Sequence, residues 1–359
     1  MKGESSEGRE RLFEELLGLD RELLRLMEHR LSLFKALKER GEERPLERYQ
    51  LRRPPWDEVG SGTEGGLTAR GLAHIFRELD SAIGAEVDEP FKVSYLGPEA
   101  TFSHQAGLER FGHGVQYVDC RTIPEVFREV EAGRARFGVV PVENSLEGTV
   151  NYTLDMLADS PVVVCGELLV EIALHLLALE GDLREVRKLY SQPHALAQCR
   201  GWLSSNLPEV EVVEVASTAA AAKAAREERG AAAIAGEQAA ALYGLKVIAR
   251  KIDESPHNYT RFFVIGTEEP SPSGSDKTSL LFSIRHRAGA LYQALAPLAR
   301  HGINMTKIES RPSRKKAWEY VFYVDVEGHM GEEPLRGALR EFEEGCSYLK
   351  VLGSYPRWS

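Results

Sequence analysis

Cysteine is scarce in this chain: Cys120, Cys165, Cys199 and Cys346 are scattered through 359 residues with no CxxC pair. That spacing excludes a disulfide framework or zinc ribbon and predicts reduced, structural thiols. No apolar run approaches the roughly 20 residues of a membrane span, so no membrane partner is expected. A basic surplus is missing too, because 45 Lys and Arg face 55 Asp and Glu for a formal net charge of −10. With its cations dispersed, the chain is not expected to bind nucleic acid. The polar, mostly charged start has no apolar stretch followed by a small-residue cleavage pattern, which predicts a cytoplasmic location. The Asn-Tyr-Thr sequons at Asn151 and Asn258 then carry no glycan.

What is present suits two or three domains of about 100–200 residues each. Leu12, Leu16, Leu19, Leu23, Leu26, Leu33 and Leu37 recur at helical spacing and predict one long helix with a coiled-coil-like seam. Arg30 occupies the seam position where another leucine is due, so a partner chain, a counter-ion or a bound anion has to satisfy it. Pro45, Pro54 and Pro55 then break the pattern, and a loop follows. Gly60-Ser-Gly-Thr-Glu-Gly65 matches a dinucleotide-binding pattern but follows no strand, which removes that reading. Residues 67–85 read as a second amphipathic helix through Leu72, Ile75, Phe76 and Leu79.

From Pro90 the texture becomes α/β. Strands are predicted at 92–96, 137–142, 162–168, 189–190, 210–215, 231–234 and 261–265, and helices at 103–111, 123–132, 195–204 and 217–228. Pro270-Ser-Pro-Ser-Gly-Ser-Asp276 has the composition of a flexible linker. Beyond it, strands at 278–285, 303–311, 317–327 and 347–355 and helices at 289–301 and 333–344 predict a βαββαβ ferredoxin-like fold.

Several predicted strand-to-helix junctions carry small hydroxyl or amide residues: Thr101-Phe-Ser103, Glu143-Asn-Ser145, Ser191-Gln-Pro-His194 and Ser217-Thr-Ala219. Each is a capped helix start of the kind that binds carboxylates at the ends of open sheets. His104, His113, His194 and His257 lack metal-ligand spacing and read as surface or cap residues. The same stretches carry a resemblance. Tyr95-Leu-Gly-Pro98 with Thr101-Phe-Ser-His104, Gly138-Val-Val-Pro-Val-Glu-Asn-Ser145, Ser191-Gln-Pro-His-Ala-Leu-Ala-Gln198 and Asn258-Tyr-Thr-Arg-Phe-Phe263 follow the order of the prephenate dehydratase family. The resemblance implies two α/β lobes clasping a cleft, as in a periplasmic binding protein, with the second lobe at about 170–249.

It also implies a reaction: prephenate loses CO2 and its ring hydroxyl to give phenylpyruvate, in the biosynthesis of phenylalanine. Such chemistry needs both carboxylates held and a hydrogen bond donated to the departing oxygen, with no metal or organic cofactor. The absence of HExxH, CxxC and P-loop patterns agrees. By the resemblance Thr260 is the donor, Asn144, Ser191, Gln198, Thr218 and Arg261 position substrate, and Phe262 packs beside the ring. Read from the residues alone, Arg261 fits a structural ion pair equally well. Arogenate, which differs by one amino group, is not distinguished from prephenate.

The C-terminal segment resembles the ACT domains of these dehydratases through Gly289-Ala-Leu-Tyr292, Gly302-Ile-Asn304 and Glu309-Ser-Arg-Pro312. This implies a phenylalanine effector site lined by Gly289, Ala290, Leu291, Asn304, Glu309, Ser310, Arg311 and Pro312, with Tyr292 where a small aliphatic residue is usual. The N-terminal helices are similar to the helical chorismate mutases fused to many dehydratases, through Leu19-Asp20, Arg30 and Arg53. Two cationic positions of that pattern hold Phe13 and Gly41, the glutamate beside Arg53 is Pro54, and a polar position near the end is Ala85. A mutase holds a dianion electrostatically, so these losses predict little or no mutase activity. The expectation is therefore a multidomain α and α/β chain: a helical domain at 1–89, a dehydratase domain at 90–268 and an ACT domain at 277–359. It is expected to assemble as a homodimer or homotetramer.

Overall fold

In a computed structural model of the chain, the described residues are 4–42, 68–87, 90–255, 257–313 and 320–357. Arg53, Pro54 and the glycine motif at 60–65 lie outside them. The chain divides into two compact units, Met1–Pro90 with Phe111–Val115, and Phe91–Arg110 with Gln116–Ser359. Among the described residues no helix is long and apolar enough to cross a membrane.

The first unit is built on α1 (Glu4–Glu39) and α2 (Ala69–Val87). Phe34, Ile83 and Val87 are buried between them, with Leu31 and Leu79 packed alongside. Arg30 pairs with Asp80, which is only 2% exposed, and its guanidinium lies 5.4 Å over the Phe76 ring. The seam arginine thus finds its counter-ion within its own chain. Lys38 Nζ donates to the Val87 carbonyl at 2.6 Å and closes the C-terminal end of α2. By contrast Leu12, Leu16, Leu19, Leu23, Leu26 and Leu33 are each more than half exposed.

The second unit begins with β1 (Lys92–Leu96), α3 (Phe102–Phe111), β2 (Gln116–Cys120), α4 (Ile123–Glu131), β3 (Phe137–Asn144), β4 (Gly148–Thr149), α5 (Asn151–Asp159) and β5 (Val163–Glu171). It continues through β6 (His175–Ala178), β7 (Lys188–Ser191), α6 (Pro193–Gln198), α7 (Arg200–Asn206), β8 (Glu211–Glu214), α8 (Thr218–Glu227), β9 (Ala231–Ala235), α9 (Glu237–Tyr243), β10 (Lys246–Ala249) and β11 (Tyr259–Gly266). Two sheets result, β2-β1-β3-β11-β5 with β4 beside β3, and β10-β6-β9-β7-β8. The chain leaves the first sheet after β5 and returns to it at β11, so the second sheet forms a separate lobe joined by two crossings.

Strands β2, β4, β6 and β10 and helices α5 and α9 are additions to the sequence expectation, and the helix expected at 195–204 breaks at Cys199 into α6 and α7. Strand β9, Ala-Ala-Ala-Ile-Ala, is buried at all five positions. Alanine has little intrinsic preference for strands. Here it serves packing, because the buried Ala221, Ala222 and Ala225 of α8 share one alanine-rich core with β9.

The C-terminal domain runs β12 (Asp276–Ser283), α10 (Ala290–Arg300), β13 (Met305–Pro312), β14 (Tyr320–Glu327), α11 (Leu335–Gly345) and β15 (Tyr348–Pro356), in the βαββαβ order expected. Its antiparallel sheet, β13-β14-β12-β15, is covered on both faces. Leu280, Phe282, Val324 and Val326 pack with Leu298 and Phe342 of the helices. The alternate residues Leu281, Tyr323, Leu352 and Tyr355 enter one core with Val140, Phe263 and Ile265 of the first sheet. Lys350 Nζ donates to the carbonyls of Leu157, Ala158 and Ser160 at 2.9, 3.2 and 2.6 Å, capping the C-terminus of α5 across the domain boundary.

The segment expected to be a flexible linker is tied down instead. Asp276 accepts the Ser273 and Gly274 N–H groups at 2.9 and 3.1 Å, and the Ser275 carbonyl accepts the Arg357 backbone N–H at 2.9 Å. His329 Nδ1 accepts the Gly331 N–H, which leaves Nε2 to donate to the Pro270 carbonyl at 3.1 Å.

The backbones of the two domains approach closely at Gly353, where an added Cβ would collide with the backbone of Val164. Gly353→Ala should therefore destabilise the protein by about 1–3 kcal/mol, as overpacking does. Thermal melts would register this as a lower midpoint, and an unchanged melt would refute the tight contact.

Candidate active site

A cavity of about 640 Å³ lies between the two lobes. Its walls include Leu96, Pro141, Val150, Ile172, Leu174 and Phe262, and its polar lining includes Asn144, Gln198, Thr218 and Thr260. The starts of α3 and α8 border it. Thr101 and Phe102 bring the first turn of α3, and Ser217 and Thr218 bring the first turn of α8. The Ser217 hydroxyl accepts the Ala220 N–H at 3.0 Å as an N-cap. Both helix starts present backbone N–H groups that favour carboxylates. Arg121 and His194 are the basic side chains among the lining residues.

Thr260 and Asn144 are paired across β11 and β3. The Asn144 amide is oriented by its surroundings: its Oδ1 accepts the Leu146 and Glu147 N–H groups at 2.9 and 3.0 Å, so its Nδ2 must face the other way. That nitrogen donates at 2.9 Å to both Thr260 Oγ1 and Asn258 Oδ1. Accepting this bond leaves the Thr260 hydroxyl proton to be donated elsewhere, and cooperative polarisation makes it a better donor. From Asn258 the network crosses to the second lobe. Asn258 Nδ2 donates to Gln198 Oε1 at 2.9 Å, and Gln198 Nε2 to Glu147 Oε1 at 3.1 Å. Glu147 also faces His194 Nδ1 at 3.1 Å.

The structure brings Thr260, Asn144, Gln198, Thr218 and Phe262 to one cavity. Two expected members stand elsewhere. Ser191 is fully buried, donates to the Gln192 carbonyl at 3.0 Å and is not part of the lining. Arg261 follows Thr260 on a strand, so its side chain takes the opposite face. There it meets Glu167 at 2.7 Å, Asp325 at 2.6 Å and Glu143 at 3.2 Å, with Tyr355 Oη at 3.1 Å. Burial alone would lower its pKa, but Tyr355, Asp325 and Glu167 outweigh that and raise it. The structural ion pair, and not the substrate contact, is what the residue makes.

Sequence reasoning missed Glu147, His194 and Asn258. The last of these opens the Asn258-Tyr-Thr-Arg motif, which is the available signal; His194 reads in sequence as a surface or cap residue. His104, read the same way, is buried, with its ring stacked 4.9 Å from Tyr95. Burial pushes the Cys120 and Cys346 thiols up to about 11 and that of Cys199 to about 12, which makes them poor nucleophiles. Among the described residues no group of three or more His, Cys, Asp or Glu is arranged to hold a metal ion.

In the C-terminal domain Gly289 adopts a left-handed φ of 75° before α10. The register pairs Ser283 and Arg311 with Val321 but Met305 with Val326. The start of α10 therefore follows the sheet end that carries Ser310, Arg311 and Pro312, while Asn304 is at the other end. Arg311, expected to line the effector site, reaches out of the domain to the Asn151 carbonyl at 2.7 Å and to Asp155 at 3.1 Å.

Comparison with known proteins agrees with this architecture. The prephenate dehydratase family profile matches residues 93–270 and the ACT domain profile residues 278–344. A bifunctional chorismate mutase/prephenate dehydratase of Aquifex aeolicus (strain VF5) is 48% identical over 352 residues, covering 96% of this chain and 97% of that relative. The prephenate dehydratase of Amycolatopsis methanolica is 38% identical over 74% of this chain and 88% of its own length. A solved prephenate dehydratase from Arthrobacter aurescens, in complex with L-Phe, superposes with a TM-score of 0.68 at 33% identity, covering 74% of this chain and 90% of that one. The chain therefore belongs to the prephenate dehydratase family and carries a C-terminal ACT domain.

Proposed function

We propose that the protein is a prephenate dehydratase acting in phenylalanine biosynthesis, with Thr260 as the donor to the leaving hydroxyl. The observation that carries this reading is the Thr260 hydroxyl itself. It borders the cavity between two helix starts and is hydrogen-bonded by an Asn144 amide whose orientation two backbone donors hold. Prephenate's two carboxylates suit the first turns of α3 and α8, with Asn144, Gln198 and Thr218 contributing hydrogen bonds. The apolar wall around Phe262 keeps the scissile carboxylate poorly solvated. As that carbon–carbon bond breaks, its electron pair enters the ring and the carbon–oxygen bond opposite breaks. Thr260 donates a hydrogen bond to the oxygen, which departs as hydroxide and takes up a proton from solvent to become water, alongside CO2 and phenylpyruvate.

Phenylalanine acts as the feedback effector at paired ACT domains. Asn304 lies at the opposite sheet end from Ser310 and Pro312, so a site using all of them draws on two chains. The exposed leucine row of α1 offers a second pairing surface, which supports a homodimer or homotetramer. We assign the protein to the cytoplasm, where its four unpaired cysteines stay reduced.

A second reading, that the enzyme is also a chorismate mutase, is favoured by the name of the Aquifex relative. Against it, Arg30 is already neutralised by Asp80, and Phe13 and Gly41 stand at two positions where that reading needs cations.

Three outcomes are expected. Given chorismate alone, the protein leaves it untouched while converting prephenate to phenylpyruvate; chorismate consumption would establish the bifunctional reading, and inert prephenate would remove the dehydratase one. Thr260→Val lowers turnover by about 10²–10⁴, as for loss of a proton-transfer group, and near-parent kinetics would take Thr260 out of the mechanism. Phenylalanine shifts prephenate kinetics by a coupling of about 1–3 kcal/mol, and rates insensitive to it would end the feedback proposal.

A further inference from the structure

We infer that Lys307 and Asp325, both carried by the ACT domain, are positioning residues for the Thr260 hydroxyl. The inference rests on the dehydratase reading and adds to it a role for a domain that does not line the cavity.

The argument starts from strand geometry. Thr260 pairs with Asn144 and Arg261 with Glu143 on neighbouring rungs of β11 and β3. Side chains alternate faces along a strand, so Thr260 and Asn144 meet at the cavity while Arg261 and Glu143 meet behind it. The ladder shifts register immediately after Arg261. On its other edge β11 keeps an unbroken ladder to β5 from Tyr259 to Val264, so the irregularity loosens only the β3 side. On that side the charge lattice behind the sheet ties β11 to β3 through Arg261 and Glu143.

In that lattice the ACT domain takes hold of both members of the rear pair. Lys307 of β13 bonds the Glu143 carboxylate, and Asp325 of β14 bonds Arg261 Nη1 at 2.6 Å. Glu167 is shared between Arg261 and Lys277 Nζ, the latter at 2.8 Å. The dehydratase domain supplies one cation and two carboxylates (Arg261, Glu143, Glu167), and the ACT domain two cations and one carboxylate (Lys277, Lys307, Asp325). Each half is unbalanced by one charge of opposite sign, and together they are neutral. Burial would raise the Glu143 carboxyl, yet Lys307 and Arg261 bring it below its ordinary value. Asp325 is further fixed by the Ser279 hydroxyl. Removing Lys307 or Asp325 leaves Glu143 or Arg261 with excess charge and free to tilt, and the tilt is delivered one residue along the strand to Asn144 or Thr260. Transfer to a leaving oxygen is sensitive to displacements of this kind, since a misplacement of about 1 Å can cost on the order of 10²-fold.

The test is steady-state prephenate kinetics of the full chain carrying Lys307→Met or Asp325→Asn, alone and combined with Thr260→Val. Each single variant should lose about 10- to 100-fold in kcat with KM changed by less than about threefold. Lys307→Arg should recover most of the loss. With Thr260 already replaced, either change should cost less than about twofold more, because the group being positioned is gone. Circular dichroism and thermal melts establish that the variants are folded at the assay temperature, and the isosteric Asp325→Asn decides the matter if Lys307→Met does not fold. Parent-like kcat in the folded variants overturns the inference, as does a loss of equal size with and without the Thr260 hydroxyl. A parent protein inert to prephenate would instead overturn the dehydratase reading, and this inference with it.

Discussion

The second unit depends on the way one buried guanidinium is satisfied. Arg261 leaves only 7% of its side chain exposed and meets carboxylates from two strands of one domain and one strand of the other. A charge in that position is costly unless every partner is present, and removing one partner of such a buried pair typically costs about 3–5 kcal/mol. The ion lattice alone is weak grounds for stability, because its attraction is offset by desolvation. The apolar residues around it, Leu281, Tyr323 and Leu352 against Val140 and Phe263, carry the net stabilisation. The lattice supplies register, since sliding one sheet on the other would separate charges that are paired across the domain boundary.

On the cavity side the same two strands present uncharged groups. Asn144, Asn258, Gln198 and Thr260 form a chain of amide and hydroxyl hydrogen bonds that crosses from one lobe to the other. A cavity for a dianion in a protein of net charge −10 has to rely on local donors, because the overall field opposes the ligand. Two helix starts, Arg121 and His194 provide them. The lining thus combines oriented dipoles for holding the ligand with an apolar wall where charge is to be lost. That division follows from β11, which turns Phe262 and Thr260 inward and Arg261 outward.

Much of this could be read in advance. The βαββαβ order of the ACT domain and most strands of the dehydratase domain follow from short β-branched or aromatic runs alternating with helical stretches. The short strand His175–Ala178 contains no β-branched residue and escaped that reading. The cavity residues were legible because motifs place them at strand ends and helix starts. Arg261 and Arg311 were not, although alternation along β11 already implied that three successive residues of Thr-Arg-Phe cannot all face one cavity. Arg30 shows the same limit: a misplaced charge on a seam signals that a counter-ion exists and leaves its identity open. Asp80 supplied it from a helix far along the chain.

By itself the sequence determined most element types and the βαββαβ order, while the two-lobed plan and the hydroxyl and amide residues at the cavity came from the family resemblance of its motifs. The element types depend on local periodicity, capping and turn chemistry, whose causes lie within a few residues of their effects. Only the tertiary structure decided where the long cations go. An arginine or lysine reaches several ångströms beyond its strand, and its energy depends on carboxylates brought near by folding, from residues as distant in the chain as Glu143 and Lys307. For that reason Arg261 reads equally well as a substrate contact or an ion pair until the ACT-domain sheet docks behind it.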